Sequence, residues 1–173
     1  NERVAGISGS NNVMWSRVKF DVLWAMLNDG SGLDIYYGYG KRKHSFLKAS
    51  ELGFSKLETK NEGAFISDDD AFLFCRGTKT NNARFMVFID LETKKIVREW
   101  PVDNTNFDCW GLDPSGRFGV LDTLPASTEN GKWRIYDNDL NKSYETQPIG
   151  TKHFSTAKFQ LIDVNGVTVD LNT

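Results

Sequence analysis

The chain has 173 residues, enough for one domain with a real core, and its 21 basic and 23 acidic residues leave a net charge of −2 and a pI near 5.7. Such a balance gives no global field toward nucleic acid or anionic lipid, and the apolar runs, such as VLWAML (Val22 to Leu27), fall far short of the roughly 20 residues of a membrane helix. Apolar residues are 39% of the chain, but 12 Phe and 5 Trp place much of that in large side chains, which argues against disorder.

The sequence begins at Asn1 with neither methionine nor a signal peptide, so processing or truncation upstream is expected and the compartment is not readable. From Lys19 to Ser50 a first strand-rich segment contains LNDGSG and YGYGKRK as turn candidates. The basic group Lys41, Arg42, Lys43 and His44, flanked by tyrosines, has the mix that holds single-stranded nucleic acid, but a charged hairpin end is its ordinary explanation and nucleic-acid binding is not expected. Helical periodicity is weak and confined to Phe46–Glu58, where Gly53 interrupts it, so loop or extended chain is expected there.

The middle of the chain is more regular. FISDDDAFLF (Phe65 to Phe74) reads as a hairpin with its turn at Asp68, Asp69 and Asp70, followed by strands at ARFMVFI and KIVREWPV joined through DLETKK. The next segment repeats the plan: the turn GLDPSG, a strand RFGVLDTL, the loop PASTENG, a strand KWRIYDN, then DLNK and SYETQPI. DLETKK and DLNKSY are matched as outer turns. A third copy is expected at FQLIDVNGVTV (Phe159 to Val169), and matching Asp70, Gly116 and Gly166 gives steps of 46 and 50 residues, the range of propellers and solenoids.

In LDPSGRF and IDLETKKIV the chain resembles β-propeller blades of the WD-repeat and beta-lactonase-type kind, over about residues 63–150, although the Gly-His and Trp-Asp dipeptides of true WD repeats are absent. The resemblance implies an all-β, propeller-like array of about three and a half four-stranded blades in a single β domain, residues 1–173, with units at about 13–50, 63–102, 109–150 and 156–173. Three and a half units do not complete a ring. Closure is left to the N-terminal strand, to further blades of a longer chain, or to other copies. An eight-stranded up-and-down barrel of lipocalin type is the rival fold, one that a 46- to 50-residue repeat does not favour.

No residue set forces a chemistry. Asp68, Asp69 and Asp70 are adjacent turn residues whose side chains diverge, and Asp137, Asp139 and Asn141 begin a calcium-loop spacing but have Lys142 at the glycine place and Pro148 at the acidic one. His44 and His153 are the only histidines and no GxSxG elbow occurs, so no catalytic residue, metal or cofactor is assigned and the reading leans away from an enzyme. Cys75 and Cys109 read as buried apolar residues, with a single disulfide as the alternative.

The expectation is therefore a non-catalytic, propeller-type scaffold that binds another protein through loops on one face. The candidate contacts are Asp103, Asn104, Asn106, Asp108 and Trp110, with Arg84 and Lys132 in the facing loops. Part of a larger propeller enzyme completed by chain not present, and a carbohydrate or small-ligand domain using exposed tryptophans, are the alternatives. A protein partner or further blades are expected; the sequence does not name the partner or the oligomeric state.

Overall fold

The computed structural model describes residues 13–19, 22–27, 30–37, 43–58, 66–102, 108–122, 131–155 and 158–171. Short runs of β-branched and aromatic residues, bounded by Gly, Asn, Asp and Ser, form strands throughout. They are β1 (Val13–Lys19), β2 (Val22–Leu27), β3 (Gly32–Tyr37), β4 (Lys43–Lys48), β5 (Lys56–Glu58), β6 (Phe72–Thr78), β7 (Arg84–Asp90), β8 (Lys95–Val102), β9 (Asp108–Leu112), β10 (Phe118–Asp122), β11 (Trp133–Asp137), β12 (Lys142–Glu145), β13 (Thr151–Ser155), β14 (Gln160–Asp163) and β15 (Thr168–Asp170). Their pairing makes four separate sheets, in the orders β1-β2-β3-β4, β5-β6-β7-β8, β9-β10-β11-β12 and β13-β14-β15. A lipocalin-like barrel requires one continuous sheet, so the rival fold falls; the chain is all-β and built of propeller-type, sequentially paired sheets.

The chain divides into two compact units, Asn1–Thr59 with Gly77–Asn82, and Lys60–Arg76 with Ala83–Thr173. In the first unit β4 leads into one turn of 3-10 helix (Ser50–Leu52), closed by Gly53 at φ 80°, so the weak periodicity of that segment becomes extended chain around one tight turn. The turn is tied back by the Ala49 N–H to the Ser31 carbonyl at 2.9 Å and the Leu57 N–H to the Gly30 carbonyl at 2.8 Å. Leu33, Ile35, Leu47, Phe54 and Leu57 are buried in this unit.

In the second unit the inner turns are built alike. Ser67, Asp113 and Asp163 each open a turn whose fourth residue returns an N–H to the opener's carbonyl at 3.0 Å, and that fourth residue has positive φ: Asp70 at 61°, Gly116 at 76° and Gly166 at 83°. The opener's side chain caps the far strand, through Ser67 Oγ from the Phe72 N–H at 2.9 Å, Asp113 Oδ1 from the Phe118 N–H at 2.6 Å and Asp163 Oδ1 from the Val167 N–H at 2.7 Å. The three matched positions thus share one local geometry. They do not share one place, however: the first two turns enter the second strand of their sheets, whereas the Asp163 turn joins β14 to β15, the second and third strands. The equivalent entry turn of the last sheet ends at Phe159, also at positive φ (50°).

The outer turns require a second correction. Lys94 and Asn141 are the left-handed residues (φ 55° and 49°), the Asp90 and Asp137 carboxylates accept from Thr93 N–H and Leu140 N–H at 2.8 and 3.1 Å, and the closing pairs are Asp90 with Lys95 and Asp137 with Lys142. DLETKK therefore corresponds to DNDLNK (Asp137 to Lys142), two residues earlier than the sequence match. The positions flanking the strands agree with this register: the Leu91 N–H bonds the Ala71 carbonyl and the Asn138 N–H the Arg117 carbonyl, both at 2.8 Å.

Strand alternation assigns the faces. Phe74 of the second sheet has its ring centroid 4.9 Å from that of Phe88 within the sheet and 5.7 Å from that of Tyr136 across the seam to the third, and Trp100 lies 5.1 Å from Tyr136. The opposite face of the third sheet packs Phe118, Val120, Trp133 and Ile135 against Phe159, Leu161 and Leu171 of the last sheet. Cys75, on the face of β6 opposite Phe74, is a free, fully buried thiol, so the Cys75–Cys109 disulfide is not formed.

Burial of the Cys75 thiol pushes its pKa well above the usual 9.0. The unfolded chain then ionises first as pH rises, binding fewer protons than the native state, so this group's contribution is intact below pH 9 and is lost above it, by up to about 1.4 kcal/mol per pH unit. Urea midpoints recorded from pH 8 to 10.5 are expected to fall more steeply in the wild type than in Cys75→Ala; parallel slopes would remove this assignment.

Candidate partner-binding surface

The turns at Ser67 and Asp113 lie together, since the Asp68 N–H bonds the Pro114 carbonyl at 2.8 Å. The other ends of the second and third sheets are therefore on a common side. On the second sheet that end is defined by Arg84, paired with Val102. On the third it is defined by Asp108 and Trp133, both paired with Asp122. The 102–108 connection leaves one sheet and enters the other at this end.

These pairings position four of the seven candidate contacts. Arg84 starts β7 and is half-buried, Lys132 immediately precedes β11, and Asp108 starts β9. Trp110 lies inside β9 rather than in a loop, at the register shift between the Val120–Gly111 and Leu121–Cys109 pairs. An irregularity of this kind gives the strand an extra residue and re-aims its neighbours, a feature that alternation in the sequence does not reveal. Asp103, Asn104 and Asn106, with most of the 125–132 loop, lie outside the described residues.

The charges here are partly engaged. Lys132 Nζ stands 3.8 Å from Glu145 Oε2, and Arg134, on the neighbouring turn of the pleat, makes a closer ion pair with the same carboxylate. Burial is the largest single influence on the Arg134 pKa and lowers it, but the interactions with Glu145 and Tyr136 together outweigh it and hold the guanidinium more firmly protonated than usual. Exposed pairs of this kind contribute little to stability; their effect is to hold long side chains in one orientation.

Trp100 and Trp133 are 9% and 0% exposed and belong to the two seams. They pack sheets together rather than face a ligand. At the opposite ends of the sheets, Asp137 Oδ1 caps its own turn and Oδ2 pairs with Arg117 at 3.4 Å, while Arg117 also reaches Asp139 at 3.4 Å, so these carboxylates hold the strand ends. Among the described residues no group of three or more His, Cys, Asp or Glu side chains is placed to hold a metal, and no helix is long and apolar enough to cross a membrane.

No family model matches the chain, and no curated protein matches it in sequence. Its fold is similar to that of a chain of hydrazine synthase from Kuenenia stuttgartiensis, at 13% identity and a TM-score of 0.50 over 82% of this chain and 46% of that one. It is also similar to the WD40 domain of coronin from Toxoplasma gondii, at 13% identity and a TM-score of 0.51 over 86% of this chain and 38% of that one. The chain thus spans less than half the length of either. Together with the four sequentially paired sheets, the likeness defines a propeller-type fold.

Proposed function

We propose that this chain is a non-catalytic, propeller-type platform that binds another protein through the sheet ends carrying Arg84, Asp108 and Lys132, with Asp103, Asn104, Asn106 and Trp110 completing the contact. The observation that carries the reading is the register that sets Arg84 beside Val102, and Asp122 between Asp108 and Trp133, so that two sheets present their chain connections on a common side. Beneath them the seams are filled with aromatic side chains, which makes a rigid support for recognition by loops. The similarity to a WD40 domain is consistent with a scaffold and names no partner.

The test is site-specific photo-cross-linking in the native host. A photoreactive residue at Arg84 or Lys132 is expected to capture one common protein, while the same residue at Glu92 or Leu140, at the opposite ends, captures none. The purified pair is then expected to lose at least tenfold in affinity in the double variant Arg84→Glu, Lys132→Glu with its melting temperature unchanged. Equal capture from both ends, or unchanged affinity in the double variant, would sink the proposal.

A further inference from the structure

The seam between the second and third sheets contains a polar corner that its packing does not explain. Arg98 and Trp100 alternate onto one face of β8, and Tyr136 and Asn138 onto the facing side of β11 and its turn. Arg98 Nε donates to the Asn138 carbonyl at 3.1 Å, and the Trp100 and Tyr136 rings meet at 5.1 Å, so the four residues form two adjoining rungs. Within this corner the Trp100 indole N–H and the Asn138 side-chain carbonyl are both buried without a hydrogen-bond partner, in residues 9% and 6% exposed. One is a donor and the other an acceptor.

The repeat makes Asn138 more informative. Its counterpart one sheet earlier is Leu91, which makes the same backbone bond and is equally buried. An apolar residue therefore satisfies that place in the turn, and the amide brings a polar group into a position where the fold does not need one. Burying an amide carbonyl and an indole N–H unpaired costs about 1–3 kcal/mol each.

We propose that the corner formed by Arg98, Trp100, Tyr136 and Asn138 is a buried hydration site, in which ordered water accepts from the Trp100 indole N–H and donates to the Asn138 Oδ1. The water completes the seam between the sheets and gives Asn138 its reason for replacing the leucine of the preceding repeat. Water is the ligand that fits the pair, because one molecule supplies both an acceptor for the indole N–H and a donor for the amide carbonyl.

The experiment is water-selective NMR on 15N-tryptophan-labelled protein, with the Trp100 indole signal assigned from Trp100→Phe. The wild type is expected to show a cross-peak from the Trp100 indole proton to long-lived water. In Asn138→Leu, which installs the residue of the preceding repeat, that cross-peak is expected to drop at least fivefold while the Trp133 indole signal stays in place. No water cross-peak at Trp100 in the wild type, or one that persists unchanged in Asn138→Leu, would overturn the proposal. Should Asn138→Leu fail to fold, Asn138→Asp at neutral pH retains an acceptor and is expected to keep the cross-peak, and its loss there would count equally against the bridge.

Discussion

Trp133→Ala is expected to cost about 3–5 kcal/mol, the range for removing a fully buried tryptophan. Trp133 has no exposed surface and sits among Phe118, Val120 and Ile135 of its own sheet and Phe159, Leu161 and Leu171 of the last one. Tyr144, Ile149 and Val169 close the margin of the same cluster. The backbone on either side of the side chain is fixed as well, since the Trp133 N–H bonds Thr146 Oγ1 at 3.1 Å and its carbonyl accepts from the Thr146 N–H at 2.9 Å. The surroundings therefore have little freedom to collapse into the space, which places the loss toward the upper end of the range. Against a total stability of about 5–15 kcal/mol, this is about a fifth or more of what holds the chain folded. Urea titration followed by far-UV circular dichroism measures it; a change within about 0.5 kcal/mol, as for a surface substitution, would show that the seam is not formed as described.

Gly119→Ala is expected to destabilise by about 1–3 kcal/mol through crowding rather than loss of contact. A Cβ on Gly119 would stand 2.5 Å from Phe74 Cζ and 2.6 Å from Cε2, far inside carbon–carbon contact. The ring cannot swing away freely, because Phe88 and Tyr136 hold it at 4.9 and 5.7 Å. The clash is thus specific to one pair, and shortening the ring relieves it. Phe74→Leu alone is expected to be destabilising, but Gly119→Ala in that background should cost at least about 0.5 kcal/mol less than in the wild type, a coupling that a double-mutant cycle resolves. Strictly additive losses would mean that Gly119 is required for a reason other than the approach of Phe74.

The fold was readable from the sequence because strand-and-turn rhythm is set by residues acting locally. Acidic openers and left-handed fourth residues are written out in DPSG and DVNG, and they produce the expected geometry at Gly116 and Gly166. The same locality explains the error: a turn of that chemistry forms wherever two strands are joined tightly, so DVNG reads as an entry turn while serving the next hairpin. The true entry turn of the last sheet carries phenylalanine, Phe159, at the left-handed position, and nothing in its composition announces a turn. The outer-turn match slipped by two residues for a similar reason, because Asp-Leu occurs at Asp139 and Leu140 while the capping carboxylate is Asp137.

The candidate surface was legible only in part. Arg84 and Lys132 stand at strand starts that the hydrophobic pattern marks, but Trp110 belongs to a register shift that depends on pairing across the sheet. The inward role of Trp100 and Trp133 likewise follows from the partner sheet, which alternation within one strand does not identify.

The turns of the second and third sheets are near copies, yet the faces between them are not interchangeable. The counterpart of Gly119 one repeat earlier is Leu73, and the counterpart of Phe74 one repeat later is Val120, all of them buried. A second sheet duplicated into the third position would bring Phe74 against a leucine where a bare backbone is now required. At this seam the order of the sheets is therefore encoded in their faces rather than in the repeated turns: the third sheet has a side that accepts the second, and copying the second repeat into the third position would be penalised even though every hairpin in it would still form.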